Sequence, residues 1–317
     1  MEIPTSFLDK TNYRLQGIVH LPEKVAPSRR VGVIISNSGF GPRNNAHNIN
    51  VKIARELCSL GYHVLRYDFH GVGESEGEFS SSPYLEWYNK IQNGLFVDDV
   101  GIAARYFVEA YKLECAILLG HCGGALSSLF VLPECGLKIS GGVFIGLPVT
   151  IDQPDRRYEA EMTSGHAREA ARGYATKLMN PVSWITFLSF KSDYRDLLRI
   201  YWTLVKNKFP RFSNSTDRDD WEKLITHPAF NYKILPAFVS CLKRKIRLKL
   251  FYAEFDRAWY EFRDELGEKC LIPDPEFNKY CEIEVIRGAN HEYHFIDSQN
   301  LLVQRINDWM IQNFPVR

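Results

Sequence analysis

Apolar residues in the first half of the chain come in short continuous runs, each ending in a polar, glycine-rich loop. Val31–Ser36, His63–Tyr67, the run from Cys115 and Gly142–Ile145 read as buried strands. The intervening stretches have helical spacing instead. Ile49, Ile53, Leu57 and Leu60 share one face before a stop at Gly61, and Val100, Ala104, Phe107, Val108 and Tyr111 share another within Asp98–Leu113. Residues 5–21 precede this series as an antiparallel pair, with Arg14–His20 the clearer strand. Strands that alternate with helices predict an α/β fold: a mostly parallel, doubly wound sheet covered on both faces.

The rhythm breaks over 151–240. This stretch has no convincing strand, but it carries charged helical segments with Trp184, Phe187, Phe190, Tyr194, Tyr201 and Trp202. A structureless loop of that length is implausible, so the segment reads as a helical cap, or lid, inserted after the strand at 142–145. The α/β pattern then resumes with strands at Leu248–Ala253 and Cys281–Ile286. A closing helix over about 297–314 turns Leu302, Ile306, Trp309 and Met310 inward. The expected organisation is a core made of 1–150 and 241–317, with a cap at 151–240.

Composition narrows the function classes. With 39 basic and 38 acidic residues in 317, charge is balanced, which gives no support to nucleic-acid binding. None of the seven cysteines forms a C-x-x-C pair, so neither zinc nor thioredoxin-like chemistry is expected, and most lie in apolar segments. Free thiols suggest a reducing compartment. The start of the chain shows no basic-then-apolar leader, and no apolar run reaches the roughly 18 residues that span a bilayer, so a cytoplasmic location is expected. No cofactor or metal is expected.

The polar loops carry the candidate chemistry, because function in such sheets collects at the carboxyl ends of the strands. Gly120-His-Cys-Gly-Gly124, between two apolar runs, is a G-x-S-x-G nucleophile turn with Cys122 in the serine position. A helix N-terminus and a nearby histidine both favour a thiolate; the bland reading is a buried structural cysteine. His291, after Gly288-Ala-Asn290, is the candidate general base and acid, with His294 as a competitor. Asp256, after the strand at 248–253, is the candidate orienter of that histidine, with Glu254 as runner-up. The remaining histidines, His121 included, read as structural or surface residues. An oxyanion hole needs two backbone N–H groups: Gly123 supplies one by its position after the nucleophile, and Phe40 in Ser38-Gly-Phe-Gly41 is the candidate for the other. Asp68-Phe-His-Gly-Val-Gly-Glu-Ser75 lacks the lysine and spacing of a phosphate loop and reads as a structural neighbour of the site. The basic run Lys243–Lys249 is either a solvated face or a docking patch for an acidic carrier protein or for coenzyme A phosphates.

Nucleophile, acid and histidine occur in the order Cys122, Asp256, His291. With the loops just quoted, nearly the whole chain resembles the α/β-hydrolase superfamily. Asp68–Ser75 is similar to the D-x-R-G-x-G-x-S stretch of serine-aminopeptidase-like hydrolases, with His70 where arginine is usual. Leu15-Gln-Gly-Ile-Val-His-Leu-Pro22 and the cap resemble exosortase-associated hydrolases, some of which carry cysteine at the turn. The departure from the common pattern is Cys122 for serine, shared by dienelactone hydrolases, polyhydroxyalkanoate synthases and some carrier-bound thioesterases. It puts general esterase or peptidase activity in doubt.

An acyl-cysteine is itself a thioester. Forming it from an ester or amide is uphill, whereas forming it from another thioester is near thermoneutral. The sequence therefore predicts a hydrolase with a Cys-His-Asp triad acting on an activated acyl group: a coenzyme A or acyl-carrier-protein thioester, or an ester of the strained-lactone kind. An acyltransferase or cyclase, in which the aromatic cap excludes water, is the alternative. A ligand-binding member of the fold that has lost catalysis is a third reading.

Overall fold

The computed structural model describes residues 1–23, 29–78, 84–133, 138–152, 221–225, 227 and 229–316. Most of the expected cap, 153–220, lies outside the described residues. So do Pro27 and Cys135.

Among the described residues eight strands form one sheet: β1 (Glu2–Leu8), β2 (Arg14–His20), β3 (Val31–Ser36), β4 (His63–Tyr67), β5 (Cys115–His121), β6 (Ile139–Ile145), β7 (Arg247–Phe255) and β8 (Cys281–Asn290). Their order is β1-β2-β4-β3-β5-β6-β7-β8. β1 pairs antiparallel with β2, and β2 antiparallel with β4; every other pair is parallel.

The central strands are buried from end to end, and alternate residues feed two separate cores. Val33, Ile35, Ile117 and Leu119 face α1 (Ile49–Ser59) and the C-terminal helix Ile296–Asn313, whose Leu302, Ile306, Trp309 and Met310 are buried. Ile34 and Leu118 face the other way, toward α2 (Tyr84–Gln92), α3 (Val97–Ala110), α4 (Gly123–Val131) and α5 (Ile234–Lys243). A period of two with both faces covered is what makes these strands read as continuous apolar runs.

Several boundaries differ from the sequence reading. β6 begins at Ile139. β8 continues through Asn290, so Gly288-Ala-Asn is strand and His291 follows it directly. β7 runs through Phe255, which puts Glu254 inside the strand, where its carboxylate accepts from Gly288 N–H at 2.8 Å. Helix α2 and the largely helical connection 257–280 have no counterpart in the sequence pattern. In the described part of 151–240, Thr150 bridges Phe230, Trp221 is buried, and α5 packs against α4.

The chain order reverses between β3 and β5, which lie side by side with Ser36 opposite Gly120. The loops leaving these two strands meet above their carboxyl ends, the usual crevice of a doubly wound sheet.

Candidate active site

Cys122 joins β5 to α4 with φ 52° and ψ −118°, a conformation that costs a non-glycine residue about 1–3 kcal/mol. Its surroundings enforce it. Cys122 N–H donates to Ile145 O at 2.9 Å, tying the turn to the end of β6. Strand and helix approach so closely that a Cβ on Gly120 would lie 2.4 Å from Gly124 O, and one on Gly124 would lie 1.9 Å from Asn37 O. Both flanking glycines are therefore required by contact.

His291 and Asp256 meet because β7 and β8 are paired to their ends. A register shift after Ala253 sets Phe255 opposite Asn290, one residue before each side chain. His291 Nδ1 and Asp256 Oδ2 are 2.7 Å apart. Asp256 is buried, and its other oxygen accepts from Ala258 N–H at 2.9 Å, capping the short helix Arg257–Glu261. His294, the competitor, is exposed and engaged with Asn290 and His47.

The three groups bias one another's ionisation. Burial pushes the Cys122 thiol up, but the charge on His291 and hydrogen bonds from His291 and Tyr88 outweigh it, leaving the thiol below its ordinary value. Burial alone would lower His291; the charges of Asp256 and the Cys122 thiolate instead hold it well above the ordinary imidazole value. Burial opposes ionisation of Asp256, yet His291 keeps it below the usual carboxylate range. All three directions favour a thiolate–imidazolium pair backed by a carboxylate.

The loop after β3 closes the other side. Ser38 and Gly39 lie against Gly123: a Cβ on Gly123 would sit 3.0 Å from Ser38 O and 3.7 Å from Gly39 Cα. Phe40 and Cys122 line the same cavity, of about 580 Å³. Among the described residues, neither Phe40 N–H nor Gly123 N–H has an acceptor. Arg43 pairs with buried Asp68, so the Asp68–Ser75 loop braces the loop that carries Phe40.

No family model matches the chain, and no curated protein matches it. Solved structures do. An esterase of Pyrococcus furiosus, Pf2001, aligns over 98% of this chain and 91% of its own at 14% identity, with a TM-score of 0.55. The α/β hydrolase GrgF from Penicillium aligns over 99% of both chains at 15% identity and 0.53. Est1E from Butyrivibrio proteoclasticus, solved with ferulic acid, aligns over 98% of both at 13% identity and 0.52. The chain has the α/β-hydrolase fold.

Around this α/β-hydrolase elbow lie residues that the sequence did not single out. His121 is buried beneath His291, with ring centroids 4.8 Å apart. Burial and the charge on His291 lower its pKa to about 3, so it is neutral. Asn45 Nδ2 donates to its Nδ1 at 2.9 Å, which leaves Nε2–H to donate to His291 O at 3.1 Å. His121 thus fixes the backbone of the candidate base. Its place beside the nucleophile was the available signal.

Helix α2 forms the far wall. Tyr88 Oη lies 3.5 Å from Cys122 Sγ, and the Tyr84, Phe40 and Tyr88 rings stack over the cavity. Gln92 anchors the helix end: it donates to Thr150 O at 3.1 Å and accepts from Asp152 N–H at 2.8 Å. Arg257 pairs with both Asp152 and buried Glu261, at 3.0 and 3.2 Å. One hydrogen-bonded and ionic network therefore links α2, the segment after β6 and the segment after Asp256. Among the described residues, Asp9, His70 and Asp99 form the one cluster with metal-ligand spacing. Those groups are already engaged, since His70 N–H and Nδ1 bond Asp99 while Asp9 accepts from Thr11 and Tyr13.

Proposed function

We propose that this protein is an acyl-enzyme hydrolase of the thioesterase/esterase type, in which Cys122, His291 and Asp256 act as a triad on an activated acyl group. One observation carries this reading. A thiol on a strained elbow shares a cavity with a histidine that is bonded to a buried carboxylate. Several proteins of the same fold are named esterases, which supports hydrolysis as the reaction class.

The Cys122 thiolate attacks the acyl carbonyl carbon. Charge moves to the carbonyl oxygen, for which Phe40 N–H and Gly123 N–H, both without an acceptor among the described residues, are the proposed donors. Collapse expels the leaving thiolate or alkoxide, which takes the proton from His291. His291 then removes a proton from water, hydroxide attacks the acyl-cysteine, and the acid leaves as the thiolate is restored. Asp256 holds Nδ1–H and so presents Nε2 to the reaction. A thioester donor makes the first half near thermoneutral.

Transfer to an amine or alcohol is the second reading. The aromatic rings of Phe40, Tyr84 and Tyr88 along one side of the cavity favour it, because apolar walls disfavour water as the acceptor. Segment 151–240, inserted between β6 and β7, is assigned as the cap that completes the acyl pocket.

Intact mass after incubation with a panel of acyl thioesters and activated esters tests the reading. An acyl adduct is expected on the wild type and not on Cys122→Ala. An adduct on neither, or equal adducts on both, overturns the nucleophile. Challenging the trapped adduct with water, amines or alcohols separates hydrolysis from transfer.

A further inference from the structure

Tyr88 touches the candidate nucleophile and has no place in the triad. Its helix α2 buries Trp87, Ile91 and Gln92 and leaves Tyr88 half-buried toward the cavity. The helix is held there by Gln92, and by Asn89, whose Nδ2 donates to Asp152 O at 2.9 Å. The phenol is therefore fixed on a rigid element, with Oη 3.5 Å from Cys122 Sγ.

We propose that Tyr88 is a catalytic residue of the acyl-transfer site, a hydrogen-bond donor that stabilises the Cys122 thiolate and fits the site to sulfur in place of oxygen. This rests on the reading of Cys122 as nucleophile. Either atom of the pair has the capacity to donate. Burial, then the neighbouring thiolate charge, keeps the phenol from ionising. The proton thus stays on Oη and the bond is O–H···S⁻. No proton is transferred: when sulfur attacks, its negative charge passes to the carbonyl oxygen, and the bond from Tyr88 weakens as the thioester forms.

The distance explains the choice of element. A separation of 3.5 Å is ordinary for an O–H donor facing a large sulfur atom, whereas O–H···O bonds fall at about 2.5–3.0 Å. A serine hydroxyl, on a shorter bond from Cβ, would sit farther from Oη and out of reach. The stacking of Tyr88 with Phe40 and Tyr84 places the donor beside the loop that carries the candidate oxyanion N–H.

The test is the rate of iodoacetamide alkylation against pH, read by peptide mass at Cys122, in the wild type, Tyr88→Phe and Tyr84→Phe. The assay needs no acyl substrate. Tyr88→Phe keeps the ring, and its unfolding midpoint is recorded alongside. The expected result is an upward shift of the thiol pKa by about one unit in Tyr88→Phe and none in Tyr84→Phe. An unshifted profile in Tyr88→Phe, or an equal shift in Tyr84→Phe, overturns the role of Tyr88. In the Cys122→Ser background, Tyr88→Phe is expected to change acyl transfer by less than twofold; a tenfold loss there would overturn the fit to sulfur. If iodoacetamide labels other cysteines in preference to Cys122, the nucleophile reading fails. If Cys122 is labelled but Tyr88→Phe leaves its profile alone, only the Tyr88 proposal fails.

Discussion

His291 Nδ1 stands 2.7 Å from Asp256 Oδ2, and that carboxylate is 4% exposed. A bond this short inside the protein orients the imidazole as well as stabilising its charge. Replacing Asp256 by Asn keeps the shape and removes the charge. In serine triads the equivalent change costs about 10⁴-fold. Here the thiolate itself supports the imidazolium, so Asp256→Asn should lower kcat/KM by about 10²-fold or less.

Stability should fall on the acid side of neutral pH. His20 and His121 are buried and lowered to about 4 and about 3, each chiefly by burial. Above pH 6.5 both are neutral whether folded or unfolded. As pH falls below about 6.5, the unfolded chain takes up protons that the folded chain refuses, and stability drops. His291 is raised, so the sign reverses: its contribution is full below pH 6.5 and fades as pH climbs through its folded value. Cys122 is lowered from its ordinary 9.0, so its contribution grows as pH rises toward 9 and offsets the loss from His291 over that window. Thermal unfolding across pH 4–9 should therefore show an acid limb and a plateau above about 6.5, and His121→Gln should flatten the acid limb.

Gly146 sits under the His291–Asp256 pair with φ +56°. A Cβ there would lie 3.0 Å from His291 Cε1 and 3.2 Å from Asp256 Oδ2. Gly146→Ala should cost about 1 kcal/mol of stability from the left-handed backbone. It should also displace His291 and lower turnover about tenfold or more. Denaturant titration beside turnover separates the two effects; a stable variant with full activity would contradict the geometry.

Arg257 neutralises Asp152 and Glu261 inside the wall that carries Tyr88. Arg257→Ala removes the cation that pairs with buried Glu261 and half-buried Asp152, a loss of about 3 kcal/mol. Arg257→Lys should recover only part, since one ammonium cannot reproduce the fork that reaches both partners. Urea midpoints of the two variants check the ranking.

The parts of the fold legible in the sequence are those where one physical cause acts alone. β3 and β4 were bounded to the residue because each is a short buried run between glycine-rich loops. Cys122, Asp256 and His291 stood out because each follows such a run, and the structure brings all three to one cavity. Helix α2 was missed because only Trp87, Ile91 and Gln92 of its nine residues are buried, too few to print a stripe. Tyr88 was missed with it, since its partner lies 34 positions away in sequence. The sequence places His121 among the structural histidines, because a bond to another residue's carbonyl leaves no mark in it. The segment 262–271 winds as a π-helix, whose spacing matches neither period used to read helices and strands.

The basic run before β7 also changes meaning once its strand is placed. Lys249 bonds Glu284 at 2.9 Å and Glu282 at 3.2 Å, Arg247 reaches Asn313, and Arg244 donates to Leu132 O. The run opens the strand at the end of which Asp256 follows, and nine residues of strand cover about 30 Å. The Debye length at physiological salt is about 8 Å, so Lys243 and Lys245, which precede the strand, lie about three screening lengths or more from its carboxyl end. Any response of acylation to ionic strength should therefore survive neutralisation of Lys243 and Lys245, and should trace instead to Arg257 and the carboxylates beside the cavity.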